Sequence, residues 1–262
     1  MEKLVIFNLL LLAIIALGVW LSKKMTKSER GKGILLLVAA LLTVFCHYSA
    51  LLFYQIPSGT AIDYLRETPN LILPIYPCNV VMWSCILFAF CKNKKSKLSV
   101  FLADYIFWFG IVSTLVGMFA NVDFIREPTL ANFEVTKSIV SHAFLLFNVL
   151  LLPVFGYVKV DLFRNMRSIA ISIVEMLVIG LYCNLVFSVL VSPERAYDVN
   201  SMFLLHSPFE GVAFLTYPVI ALVALLIYFG LFALLELFFC EKGNRFYNRF
   251  AACVAKRRSK RP

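Results

Sequence analysis

An all-α fold, a polytopic bundle of seven transmembrane helices with the N-terminus outside and the C-terminus inside, is predicted by three observations. Hydrophobic residues make up 61% of the chain and charged residues only 15%, with a mean hydropathy of +0.85. An aqueous surface does not tolerate that balance. Seven stretches, 4–21, 33–54, 71–91, 98–119, 138–157, 169–191 and 212–239, are apolar and long enough to cross a hydrocarbon core, which takes roughly 17 to 25 residues. The segments after the first, third, fifth and seventh stretches carry 20 of the 25 lysines and arginines. Basic residues stay on the cytoplasmic side, so this alternation sets both the count and the orientation.

Each span has its own justification. The opening "MEKLVIFNLLLLAIIALGVW" resembles a signal peptide in hydropathy, but its n-region is nearly uncharged and the basic cluster "SKKMTKSERGKG" follows it. It reads as the first helix. The second span carries Cys46 and His47, the fourth Asp104, the fifth His142 and Asn148, the sixth Glu175 and the seventh Glu236. No connector is long enough for a soluble domain, so residues 1–262 form one transmembrane domain with a basic cytoplasmic tail at 240–262. The net charge of +10 is mostly that inner face. It suits anionic lipid and needs no nucleic acid.

Polar residues sort by depth. Counted along the spans, His47 and Cys78 lie at similar depth in the outer third, His142 slightly above them, and His206 in the last outer segment. Asp104, Glu175 and Glu236, the carboxylates within the spans, are expected near the cytoplasmic ends, and every lysine and arginine is expected outside the spans. Polar groups at membrane depth are expensive and mark function. Neither His47 nor His142 has a second histidine or an acid three or four residues along its helix, so no metal site is expected. The seven cysteines contain no C-x-x-C pair and read mostly as packing residues.

The third span begins differently, with "NLILPIYPCNVVMWSC". Pro77 suits the first position of a helix, and Pro74 keeps the preceding residues out of regular helix. Cys78 then falls in a first turn, where free N–H groups and the positive dipole end favour a thiolate. That is one way to present a reactive thiol beneath the outer surface; a proline-capped helix with an inert cysteine is the other.

"LPIYPCNV", "SHAFLLFNVLLLPVFGY" and "NSMFLLHSPFEGVAFL" together resemble the three signature regions of the YwaF-like integral membrane proteins, related to the animal multi-pass ether-phospholipid acyltransferases of the transmembrane protein 164 type. The resemblance implies that Cys78 carries an acyl group as a thioester and that His142 is its general base. It implies phospholipid and lysophospholipid substrates, membrane lipids as surroundings, a cell-membrane location and no soluble cofactor. Tyr76 stands where many members have a histidine two residues before the cysteine, and whether His47 replaces it is open. In the third region Asn200, Met202 and Leu204 match and Ser201 replaces an aromatic residue. Asn79 or backbone N–H groups could hold the oxyanion, with Tyr76, His47, Asn148, Asn200 and His206 as supporting or substrate-binding residues. A lipid hydrolase would use the same pair, and a seven-helix receptor, transporter or sensor is the reading from a different class. Protein partners are not indicated.

Overall fold

The structure is a computed structural model, and it describes residues 2–119, 129–207 and 211–258, with the side chains of 253–258 excepted. The last residues of the basic tail, 259–262, and residues 208–210 of the third signature region lie outside these. Every element among the described residues is helical. The helices are α1 (Glu2–Met25), α2 (Glu29–Ala50), α3 (Ala61–Glu67), α4 (Pro77–Phe90), α5 (Lys97–Phe119), α6 (Phe133–Val154), α7 (Leu162–Leu190), α8 (Pro193–Val199), α9 (Tyr217–Phe239) and α10 (Phe246–Arg258).

Local chemistry sets the ends. Ser28, Asn132, Asp161 and Ser192 each accept backbone N–H groups from the first turns of α2, α6, α7 and α8, filling the donors that a helix start leaves open. Pro77 and Pro218 occupy the first turns of α4 and α9. α2 does not stop at Ala50: it widens into a π turn at Leu51–Gln55 just before Pro57 and continues to Ser58. A proline cannot accept the tighter ladder without clashing with the carbonyl four residues back.

Six described helices are long and apolar enough to cross a membrane: α1, α2 with its extension, α5, α6, α7 and α9. The expected third span is the exception. Its continuous helix, α4, has 14 residues, about 21 Å at 1.5 Å per residue, and the residues before it are irregular because Pro74 and Pro77 remove ladder donors. Observed bounds also differ from the hydropathy bounds at α6 and α7. α7 starts at Leu162 rather than 169, which brings Arg164 and Arg167 into the helix, and α6 starts at Phe133, bringing in Glu134 and Lys137. Three of those charges, Arg164, Glu134 and Lys137, have side-chain partners. Arg164 reaches Asp104 at 2.6 and 2.7 Å, and Lys137 pairs with Glu134 at 2.5 Å.

α6 is the axis of the bundle. Asn148 donates to the Leu36 carbonyl and Ser141 to the Thr43 carbonyl, so α2 runs antiparallel to it. Gly110 faces Val149 and Gly117 faces His142, so α5 is antiparallel as well. α1 is parallel, with Leu4 beside Val135 and Ile139 and Gly18 against Phe147. α4 is also parallel to α6: Val81 meets Val149 across Gly110, and Phe88 packs on Tyr157 beyond the end of α6. α9 is antiparallel to α7, Tyr217 bonding the Ile173 carbonyl and Glu236 the Leu162 N–H. Leu9, Leu10, Ile14 and Leu17 of α1 and Leu222, Leu226, Ile227 and Leu234 of α9 point outward, the belt that hydrocarbon requires.

At the end of the bundle that holds Lys94 and Tyr157, buried carboxylates are neutralised by arginines. Asp104 and Glu236 are both fully buried. Arg164 holds the first, and Arg249 of α10 holds both Glu236 and Asp161 at 2.5 Å. Burial pushes the Asp161 carboxyl up, yet the Arg164 N–H and the Arg249 guanidinium hold it below the ordinary carboxylate range. Removing one partner of a buried pair costs roughly 3–5 kcal/mol, so these acids are structural clamps. They lie near a helix end, as expected, but behind protein rather than in water.

Candidate active site

Cys78 sits in the first turn of α4, one residue after Pro77. Tyr76 is the N-cap in extended conformation, and the Asn79 side chain returns to accept the Tyr76 N–H at 3.2 Å. The thiol therefore lies at a formed helix start, next to the backbone N–H groups of Cys78 and Asn79. It is half-buried against the central apolar cluster, which also contains Val81, Cys85, Leu145 and Met202. Accepting the Tyr76 N–H through its carbonyl oxygen fixes the Asn79 side chain at the helix start and leaves its Nδ2 amide group as a hydrogen-bond donor there, beside the backbone N–H groups.

The lead-in to α4 is held by a loop from the far end of the sequence. After α8 the chain turns back into the bundle, and Met202 donates its N–H to the Ile75 carbonyl at 2.9 Å while the Ser201 hydroxyl donates to the same oxygen at 3.3 Å. Asn184 of α7 grips both backbone groups of Ser201, and the Phe203 ring lies 6.2 Å from that of Tyr76. Leu204 and Met202 fill the space over Gly180. The first and third signature regions are thus one structural unit.

That loop is built under strain. Asn200, Met202 and Phe203 have φ of 44°, 53° and 58°. Asparagine visits the left-handed region readily, whereas Met and Phe do so rarely. Such residues persist where their surroundings over-determine them, and they cluster at functional sites. The determinants here are the Ile75 and Asn184 bonds and Asn200 itself, whose side chain takes the Leu205 N–H at 2.9 Å and donates to the His206 carbonyl at 3.0 Å. His206 bonds Tyr197, Ser207 and Asn200. Asn200 and His206 shape the loop.

His142 is carried by α6. Its Nδ1 lies 2.8 Å from the Ser138 carbonyl, an acceptor, so Nδ1 carries the proton in the neutral ring and Nε2 is the basic atom. The ring lies flat on Gly117: a Cβ there would come within 2.2 Å of Nε2 and Cδ2. Gly117 is therefore the cradle that lets His142 tuck between α5 and α6. His47 is otherwise employed. Its Nε2 faces the Asn70 carbonyl at 3.3 Å, and Tyr48 donates to Leu71 at 2.7 Å, which staples the α3–α4 connector to the top of α2. Asn148, bonded to Leu36, pins α2 to α6.

Depth separates these residues more than the sequence suggests. Counting from the layer where Val81, Gly110 and Val149 meet toward the end of the bundle at which α4 and α6 begin, Cys78 lies about 4.5 Å away, His142 about 10 Å and His47 about 18 Å, at 1.5 Å per residue. His47 and Cys78 do not share a level. The physical reason is the irregular stretch before Pro77, which descends at up to about 3.3 Å per residue where extended, twice the helical rise, and carries Cys78 deeper. Cys78 and His142 are offset along the axis by about 6 Å, and no hydrogen bond joins them. Gly117 and Asn184 are not singled out by the sequence, and Ser201 enters there only as a departure from the third signature region. The asparagine inside the apolar run "LYCNLVFSVL" was the legible signal for one of them.

The model of the TMEM164 family matches residues 1–236. No curated protein matches, and no solved structure does.

Proposed function

The chain belongs to the TMEM164 family and is a multi-pass membrane protein, and from that premise we propose that it is a phospholipid acyltransferase, a transacylase working through a thioester on Cys78 at the start of α4 within the bundle. The observation that carries the reading is the start of α4 inside the bundle, with Cys78 in the first turn and its lead-in clamped by the strained 200–204 loop. A packing cysteine needs no such mounting.

The chemistry follows from the atoms. The Cys78 thiol gives up its proton to His142 Nε2, directly or through an intervening hydroxyl. The thiolate attacks a phospholipid ester carbonyl, with backbone N–H groups of the first turn facing the oxyanion. The ester C–O bond breaks, the proton returns to the departing oxygen, and a lysophospholipid leaves. A second lipid's hydroxyl then yields its proton to His142 and attacks the thioester, the C–S bond breaks, and the thiol is restored.

The reading also takes α4, with its non-helical lead-in, as a through-going element, making seven crossings with the N-terminus outside. Support comes from helix directions that alternate only if α4 counts, and from the clustering of basic residues at one end. In a variant with the native cysteines removed, Ser58→Cys is expected to react with a membrane-impermeant maleimide in intact cells and Lys92→Cys only after permeabilisation. The reverse pattern sinks the orientation.

The test of the function itself is direct. Purified protein incubated with phospholipid vesicles should carry a hydroxylamine-labile acyl chain on the Cys78 peptide, and a lysolipid acceptor should collect it. Free fatty acid as the main product would make the protein a hydrolase. No acyl chain on Cys78 at any time point would remove the thioester mechanism.

A further inference from the structure

One face of α7 forms a seat for the loop that reaches α4. Gly180, Cys183, Asn184 and Phe187 share that face, at helical offsets of three, four and seven residues, and all four are buried. Ile75, 2% exposed, packs in one cluster with Cys183 and Phe187 and with Ala196 and Val199 of α8. Gly180 makes room for the loop: a Cβ there would lie 2.6 Å from Leu204 Cδ1 and 2.9 Å from Met202 Cβ. Apolar contact of this kind is non-directional. It places the lead-in of α4 against α7 without fixing which way its peptide groups point.

Direction comes from hydrogen bonds, and they form one chain. Asn184 takes the Ser201 N–H at 2.9 Å and donates to the Ser201 carbonyl at 3.3 Å. Holding both backbone groups of one residue fixes its rotation as well as its place. The Ser201 hydroxyl and the Met202 N–H then converge on the Ile75 carbonyl, at 3.3 and 2.9 Å, and occupy both of its lone pairs. That carbonyl belongs to a planar peptide unit whose other end is the Tyr76 N–H, and the Asn79 side chain accepts the Tyr76 N–H at 3.2 Å. A single rigid plane is thus bonded on both sides, by the loop at its oxygen and by the first turn of α4 at its nitrogen. Cys78 stands in that turn, between Pro77 and Asn79. The same arrangement keeps Met202 and Phe203 at φ of 53° and 58°. Backbone in that region persists where its surroundings over-determine it, and Asn184 is the side chain that does so from α7.

We infer that Asn184 is a positioning residue for Cys78. Acting through Ser201 and the Ile75–Tyr76 peptide, it sets the direction in which the first-turn N–H groups, the thiol and the Asn79 amide face. Its meaning for catalysis rests on the thioester reading proposed above.

Alkylation by iodoacetamide, followed peptide by peptide in the reconstituted full-length protein, reads Cys78 without any acyl transfer, because the thiolate is the reacting form. Leucine is close to asparagine in size and removes both bonds to Ser201. With the N–H groups that favour the thiolate turned away, Asn184→Leu should slow Cys78 alkylation on the order of tenfold, while Cys85 stays as protected as in the wild type. In acyl exchange the same variant should lose on the order of a hundredfold in kcat, the scale of a misplacement of about 1 Å, with KM near the wild-type value. An unchanged or faster Cys78 rate, loss of Cys85 protection alongside it, or a loss carried by KM would overturn the positioning role. Gly180→Ala, which drives Leu204 and Met202 off α7 and keeps Asn184, is the second variant if Asn184→Leu does not fold, and the same readings decide it. Failure of both to fold would make the seat a folding element and overturn the role as well. A wild-type protein that never acylates Cys78 would remove the thioester reading and leave the alkylation test intact. An unmoved alkylation rate in a protein that does acylate Cys78 would remove only the role of Asn184.

Discussion

Cys78→Ser is expected to reduce acyl exchange between phospholipids in reconstituted vesicles by about a thousandfold or more, the scale on which loss of a covalent nucleophile acts. Serine is nearly isosteric, so the first turn of α4, its Asn79 cap and the Ile75 bonds to Met202 and Ser201 should survive. What is lost is ionisation: a hydroxyl is far harder to deprotonate than a thiol. Cys85, two turns along the same helix and fully buried, is the control. Cys85→Ala should keep most of the activity and lose some stability through the small cavity it leaves. Comparable losses of activity from both would point to packing, and near wild-type exchange in Cys78→Ser would end the thiol mechanism.

His142→Gln is expected to cost on the order of a hundredfold or more, the usual scale for a general base, and to remove one titration from the pH–rate profile. The geometry makes glutamine an informative choice. Its amide can still donate to the Ser138 carbonyl as Nδ1 does, so the local bond is preserved while proton exchange at Nε2 is not. The Gly117 cradle supplies a second probe. Gly117→Ala leaves every ionisable group in place but drives a Cβ into the ring, and the ring must swing away or α5 and α6 must part. Activity should then fall with the profile's shape retained, because the base is displaced rather than deleted. If His142→Gln turns over at the wild-type rate with an unchanged profile, His142 is a packing residue, and the proton must move by another group.

Much of the architecture was legible because hydropathy and charge are one-dimensional. Hydrocarbon demands long apolar helices wherever a chain crosses it, and six of the seven predicted stretches are such helices. Pro74 and Pro77 likewise announced that the third would start late, since a missing N–H and a fixed ring are local facts. Their consequence for depth was not local. How far an irregular segment descends depends on what holds it, and here that is a loop more than a hundred residues away, bonded to Ile75.

The charged residues divide in the same way. Hydropathy reads Arg164, Arg167, Glu134 and Lys137 as lying outside the spans because charge is costly in lipid, and helices α6 and α7 extend past those apolar stretches to include them. Partners distant in sequence change that cost: Asp104 for Arg164, and Tyr64, seventy residues away, for Glu134. Glu175 stands near the centre of α7 because that helix begins at Leu162, capped by Asp161. By itself, then, the sequence determined that the protein is a helical membrane bundle and which cysteine stands at a helix start, because both follow from residue type and short-range sterics. Only the tertiary structure decided how deep each polar side chain lies and which are spoken for. His47, Asn148 and His206 hold the bundle and loops together, whereas His142 keeps its basic nitrogen uncommitted to the backbone, since a hydrogen-bond partner across helices is a property of packing that no span shows alone.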